Sequence, residues 1–234
     1  MKDSISDLSE RTLYQNIKLV ELGLVIDTFG NASSKIANTV IIKPSGMLLS
    51  EVKPNDMSVL EYDGYQHKSG KLPSSDTPTH LELYQNLNDI GGIVHTHSQY
   101  ATAWAQAPKP IPCFGTTHAD YWKGEIPVTR KLTVDEINGE YELETGKVIV
   151  ESLQKLKIDP LECPGILVAH HGPFAWGKTV EEAVKNAERL EYIAKLAWMT
   201  LQINPQAPQI SSELHHRHFS RKHGPGAYYG QKNS

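Results

Sequence analysis

An α/β or α+β domain is what the sequence predicts, and three observations predict it. Helical and strand patterns alternate along the chain. Two short apolar runs each end in histidine. No internal repeat, low-complexity tract or Gly/Ser linker divides the 234 residues, so a single domain spanning 1–234 is expected. Hydrophobic residues make up 39% and charged residues 21%, a soluble globular mix. A net charge of −4 supplies no basic field, so neither nucleic acid nor a membrane surface is an expected partner. No apolar run approaches the ~20 residues that span a bilayer. Residues 1–16 are polar and of mixed charge, unlike a signal or transit peptide. Cys113 and Cys163 could pair, but reduced thiols in a cytoplasmic chain are the simpler reading. Eleven histidines is the unusual count, and several cluster.

The elements follow in order. "SDLSERTLYQNIKLVELGL" reads as an amphipathic helix with Leu13, Ile17, Val20 and Leu24 near one face. "TFGNASSK" carries the Gly-Asn signature of a tight turn, and "NTVIIKPSG" a strand that stops at Pro-Ser-Gly. "SSDTPTHLELYQNL" starts like a helix, with capping side chains and Pro78 in the first turn. "GGIVHTH" is a short strand running into the helix-like "SQYATAWAQA". In "EINGEYELETGKVIVESLQKLKI" the flanking Glu, Leu and Lys favour helix over the strand-like Val148-Ile149-Val150. "PGILVAHHGPFAWG" holds a buried strand, Ile166 to Ala169, ending in His170-His171-Gly172. "TVEEAVKNAERLEYIAKLAWMTLQI" is the clearest helix. Thr179 and Glu182 suit a capping box, and Val180, Ala183, Ala187, Leu190, Ala194 and Ala197 form one stripe. The tail, "HHRHFSRKHGPGAYYGQ", is basic and aromatic, with too little aliphatic content for a core strand.

His95 and His97 fall on one face of an extended strand, roughly 6–7 Å apart. That spacing lets two imidazoles converge on one ion with bonds of ~2.0–2.1 Å. A third ligand could come from His170 or His171, of which only one faces the same way. An isolated His-x-His is as readily a polar strand end, so the second histidine-bearing strand is what favours a metal. Three ligands and an open position is the catalytic pattern, in which a metal polarises a substrate oxygen or activates water. The continuation "SQYATAWAQ" lacks the acid or histidine usual in hydrolases, and no Gly-x-Ser-x-Gly, P-loop or Gly-x-Gly-x-x-Gly occurs. "PSSD" (73–76) before a helix and "KPSG" (43–46) are candidate anion loops, although each alone reads as a plain cap or turn. Asp76 could cap that helix or sit at the metal. His118 and Asp120 lie in "GTTHADYW", and His218, Arg221, His223, Tyr228 and Tyr229 in the tail.

Together, "GNAS", "IKPSG", "KLPSSDTPTH", "GGIVHTHSQYATAWAQA", "GTTHADY", "INGEYELETGKVIVE", "HGPFAWGK" and "RKHGPGAYYGQ" resemble the L-ribulose-5-phosphate 4-epimerases of the class II aldolase/adducin-type superfamily. The match runs from about residue 28 to residue 231 in the family's order. It implies a three-layer α/β/α sandwich around a central, largely antiparallel sheet. It also implies a homotetramer with active sites between adjacent subunits, the tail (about 211–234) reaching a neighbour. Zinc, or manganese or cobalt, would be held by Asp76, His95, His97 and His171. Gly30, Asn31, Ser45, Gly46, Ser74 and Ser75 would bind the phosphate of a pentulose 5-phosphate. Asp120 and Tyr229, the latter from the neighbouring subunit, would transfer protons, assisted by His218. The reaction implied inverts C4 of L-ribulose 5-phosphate to give D-xylulose 5-phosphate. The C3–C4 bond breaks to an enediolate and glycolaldehyde phosphate, the aldehyde rotates, and the bond re-forms. L-Arabinose breakdown is the usual context. Related aldolases carry Glu where Asp76 stands, and most members carry Trp where Phe29 stands. A sugar-phosphate aldolase of the same superfamily, or a non-catalytic module like the adducin heads, are the other readings.

Overall fold

The computed structural model describes residues 4–63, 66–223 and 227. Among the described residues seven strands form one sheet: β1 (Gly30–Ile36), β2 (Thr39–Ile42), β3 (Ser58–Glu61), β4 (Gln66–Ser69), β5 (Gly92–Thr96), β6 (Gly165–Leu167) and β7 (Pro173–Gly177), in the order β4-β3-β2-β1-β5-β7-β6. Every ladder between these strands is antiparallel. The helices are α1 (Ile5–Glu21), α2 (Thr77–Asn86), α3 (Gln99–Gln106), α4 (Thr116–Ala119), α5 (Val134–Asn138), α6 (Tyr141–Leu156), α7 (Val180–Ile203) and α8 (Ser212–His223).

Strand alternation decides the layers. Val40, Ile42, Leu60, Ile93, Phe174 and Trp176 face Leu81 and Tyr84 of α2 and Ile149 and Leu153 of α6. Ala32, Val94 and Ala175 face the other way, onto Leu19 of α1 and Val184 and Ala187 of α7. Ile41 and Val59 meet Leu8 and Leu13 of α1 on that second face. The result is the expected α/β/α sandwich.

Four local expectations change. The Gly-Asn pair does not turn; it opens β1, and the turn lies at Ala37-Asn38, with Ala37 at φ 51°. A strand of Asn and Ser is invisible to hydrophobic patterning, yet its Asn31 Nδ2 and Ser33 Oγ find partners on and before α2. On α1 the buried face is Leu8, Thr12, Leu13, Asn16 and Leu19, whereas Val20 is exposed and Leu24 lies beyond the helix. Thr179 caps α7 by accepting from the Glu182 N–H, but the Glu182 carboxylate accepts from the Lys178 N–H, so the box is half made. The tail is a helix, α8, as far as His223, and its core contact is Phe219.

Asn16 shows how α1 supports the functional end of the sheet. β1 outruns β2 at its start, because their register begins at Ser33. The Asn16 amide fills that gap: Oδ1 accepts from the Ala32 N–H at 2.7 Å and Nδ2 donates to the Ala32 carbonyl at 3.0 Å. All these groups are buried. Replacing Asn16 by Leu strands two backbone groups, each costing ~1–3 kcal/mol. Chemical denaturation at fixed protein concentration should therefore show Asn16→Leu less stable by about 2–5 kcal/mol.

Candidate metal centre and active site

The site begins with the pairing of β1 and β5, which sets Asn31 opposite His95 and Gly30 opposite Thr96. Gly30 has φ +123°, and a Cβ there would lie 2.8 Å from Val25 Cγ2 and 2.9 Å from the His95 carbonyl oxygen. No other residue fits that approach. β7 pairs with β5 on its other side, placing Phe174 opposite His95. The β6–β7 turn brings in the third histidine. Its Gly172 comes so close that a Cβ would lie 2.8 Å from the Thr96 carbonyl oxygen. His170 takes φ +63° and is exposed, so His171 is the member of the pair that turns inward.

His95, His97 and His171 each present one ring nitrogen, all within 4.8 Å of one another. His95 Nε2 and His97 Nε2 are 3.1 Å apart. Two nitrogens bound to one tetrahedral ion stand roughly 3.3 Å apart. His95 Nδ1 donates to the Pro173 carbonyl at 3.0 Å, which fixes the tautomer and leaves Nε2 as the lone-pair edge. His171 Nδ1 faces the Tyr141 hydroxyl at 3.3 Å. Phe174 stacks on His95, centroids 4.2 Å apart, and meets His171 edge-on. Burial holds His95 well below the ordinary histidine pKa, and His171 and His97 beside it add to that. Burial also lowers His171 and His97, opposed in both by Asp76. Three neutral imidazoles with free, converging edges fit a divalent metal with an open coordination position.

Asp76 stands at the N-cap of α2 but makes no side-chain cap; Asn31 Nδ2 donates to its Oδ2 at 2.6 Å. It lies outside the close histidine cluster, within electrostatic reach of His97, His171 and Lys43. Asn31 Nδ2 also reaches Ser74 Oγ at 3.2 Å. The loop of Ser45 and Gly46 is tied to the loop of Ser74 and Ser75. Ser45 N–H donates to the Leu72 carbonyl at 2.9 Å and Ser74 N–H to the Lys43 carbonyl at 3.0 Å. The fold thus gathers all six phosphate candidates around the α2 N-terminus and the start of β1. Phe29 lies over the same region, its ring 6.1 Å from that of His97.

Asp120 and His218 form a separate cluster. Asp120 ends α4, and α8 grips it: His218 Nδ1 at 3.0 Å from Oδ1, Arg221 Nε at 3.0 Å from Oδ1 and Nη2 at 2.6 Å from Oδ2. Lys222 Nζ lies 3.6 Å from Oδ2, and His223 Nε2 is 2.9 Å from the Asp120 carbonyl oxygen. None of these bonds goes to the three histidines. Burial pushes the Asp120 carboxyl up, but Arg221, His218 and Lys222 outweigh it and hold the pKa below the usual carboxylate value. Neighbouring His118 is buried and pushed down to about 4 by that burial. Tyr229 lies outside the described residues.

Sequence reasoning missed Tyr141, Phe174 and a polar row on α2. The row was legible: Asp76 at the N-cap, His80 and Tyr84 recur at i, i+4 and i+8 and so share one side of the helix. His80 and Tyr84 are both buried, and burial pushes His80 down to about 3. Tyr141 and Phe174 carry no such spacing signal.

A sheet of this topology with a histidine triad at one strand end belongs to a defined class: the chain is a member of the class II aldolase and adducin family, whose "Class II Aldolase and Adducin N-terminal domain" matches residues 11–198. The L-ribulose-5-phosphate 4-epimerase UlaF of Salmonella paratyphi C (strain RKS4594) is 52% identical over 227 residues, covering 96% of this chain and 99% of that protein. Its counterpart in Salmonella choleraesuis (strain SC-B67) matches equally. In three dimensions the chain resembles an L-fuculose 1-phosphate aldolase, with TM-score 0.77 and 26% identity over 92% of this chain and 96% of that one. YgbL of Klebsiella pneumoniae superposes with TM-score 0.73 and 25% identity, over 92% and 99%.

The Asp120 clasp has a pH signature. Its folded pKa is depressed, so its contribution to α8 docking is complete above the unfolded carboxylate value of ~3.9 and is lost as pH falls through the lower folded value. The protection factors of the α8 amides, taken relative to the intrinsic rate at each pH, should fall below about pH 4. In Asp120→Asn, protection should already be low at neutral pH and change little with acidification.

Proposed function

We propose that this chain interconverts L-ribulose 5-phosphate and D-xylulose 5-phosphate by breaking and re-forming the C3–C4 bond. The observation that carries this reading is the convergence of His95, His97 and His171 beside the Asn31–Ser74–Asp76 bonds. Near-full-length similarity to a 4-epimerase supports the substrate. The metal, with zinc the first choice, supplies Lewis-acid stabilisation of the oxygens that become negative when the bond breaks. His95, His97 and His171 hold it, and Asp76 completes or orients that set.

The chain's other residues do the rest. Gly30, Asn31, Ser45, Gly46, Ser74 and Ser75 bind the phosphate through backbone N–H groups, hydroxyls and an amide, at the positive end of α2. They keep glycolaldehyde phosphate in the site while it turns its other face. One group takes the C4 hydroxyl proton as C3–C4 breaks; a second, on the opposite face, protonates the new C4 oxygen as the bond re-forms. Asp120 and Tyr229 fill these two roles. Arg221 and His218 keep Asp120 ionised, so it is ready to accept a proton.

The same reading makes the protein a cytoplasmic homotetramer acting in pentose breakdown such as that of L-arabinose, with Tyr229 completing the site of an adjacent subunit. Support for assembly comes from α7, where Tyr192, Leu196, Met199 and Ile203 form an exposed apolar stripe at i, i+4, i+7 and i+11. The resemblance to an L-fuculose 1-phosphate aldolase favours a second reading, net aldol cleavage, with the same metal centre.

Incubating metal-loaded protein with L-ribulose 5-phosphate separates the two. D-Xylulose 5-phosphate is expected; accumulating glycolaldehyde phosphate would transfer the assignment to the aldolase, and no turnover would sink both. Tyr229→Phe alone should lower kcat by about 10²–10⁴-fold, and His97→Ala should abolish activity with the metal. Mixed tetramers of these two variants should regain activity well above either, since some sites then combine an intact His97 with a neighbour's Tyr229. No gain in verified mixed tetramers would place Tyr229 in its own subunit's site.

A further inference from the structure

Among the described residues, two buried polar atoms in the seam between α2 and β1 have no protein partner: His80 Nε2 and Asn31 Oδ1. Both belong to one polar row. On β1, Asn31 and Ser33 project from the same face, two residues apart. On α2, His80 and Tyr84 follow Asp76 by one and two turns. Asn31 Nδ2 donates to Asp76 Oδ2 at 2.6 Å, and Ser33 Oγ meets His80 Nδ1 at 2.7 Å and the Tyr84 hydroxyl at 2.9 Å.

The protons in this row can be assigned. Among the described residues the hydrogen-bond partner of the buried Tyr84 hydroxyl is Ser33 Oγ, so the phenol gives its proton there. Ser33 then donates to His80 Nδ1, which puts the ring proton on Nε2. Helical side chains lean toward the helix N-terminus, so His80 leans over the turn that carries Asp76. The orphaned donor of His80 and the orphaned acceptor of Asn31 thus sit on side chains joined through β1 and the first turns of α2, with Asp76 bound to Asn31 between them in the row. A single water between them would accept from His80 and donate to Asn31 and to Asp76. About three hydrogen bonds is usual for a buried water.

We infer that a structural water occupies this seam, and that through it His80 acts as a positioning residue, fixing the Asn31 amide and the Asp76 carboxylate beside the histidine cluster. The inference rests on the metal-centre reading proposed above. Tyr84 and Ser33 orient the imidazole, and the imidazole orients the water. Without that donor, Asn31 is free to turn its amide over, and Asp76 keeps one hydrogen bond instead of two.

Two measurements test it. A high-resolution crystal structure of the unsubstituted protein should show a water about 2.7–3.2 Å from both His80 Nε2 and Asn31 Oδ1. An ordered seam without that water would overturn the inference. Zinc affinity, measured by competition with a chelator, should fall about 10–100-fold in His80→Leu. His80→Gln restores an N–H donor and should recover most of that loss. Parental affinity in His80→Leu, or no recovery in His80→Gln, counts against the inference. If the unsubstituted protein fails to bind zinc, it is the metal-centre reading that falls instead.

Discussion

The pairing of β1 with β5 is the constraint on which the site depends. It sets Asn31 opposite His95, and therefore sets the residues that touch Ser74 and Asp76 beside the residues that converge on one point in space. A slip of one residue would turn Asn31 and Ser33 to the α7 face and Ala32 toward α2, exchanging a polar row for a methyl group. The register is held from both sides. Asn16 grips the Ala32 backbone from α1, and Ser33 is clasped by His80 and Tyr84 from α2. The contacts that stabilise the strand are the contacts that align the chemistry.

Much of this could be read from the residues. The His-x-His strand and the α2 cap region each stood where alternation or helix-start rules put them, and the long α7 stripe from Val180 to Ala197 is buried as expected. The choice between His170 and His171 needed the turn conformation. The left-handed backbone at His170 decides it, and nothing in the apolar run before it does. β1 escaped notice because its inward side chains are Asn and Ser, whose burial is tolerable only with partners more than forty residues away. The tail helix escaped for a related reason. Its docking is electrostatic and aromatic, through Asp120 and a stack of His215, Phe219 and His223, rather than aliphatic.

Asp120 carries two demands that pull on the same charge. Its carboxylate anchors α8 through Arg221, His218 and Lys222, and the hydrogen bonds of Arg221 and His218 with the charges of Arg221 and Lys222 keep it ionised. A carboxylate so surrounded is a weak base but a reliably deprotonated one. Strong desolvation without the cations would have given the opposite, a carboxyl that holds its proton at neutral pH. The identity of the residues in α8 thus sets how Asp120 behaves, although they lie some hundred residues later in the chain.

The histidine cluster also has a consequence for the order in which the molecule can mature. His95 and His97 are neighbours, but His171 arrives only with the β6–β7 turn, after α3 to α6 have been laid down. A ribosome-bound chain exposing only the first pair offers two ligands on a strand that still lacks β7 at its side. All three histidines stand together only once the sheet has closed around His95 and Phe174 has stacked beneath it. On the proposed metal-centre reading, an ion taken up at that stage would bind the folded form and oppose unfolding by mass action without having guided folding.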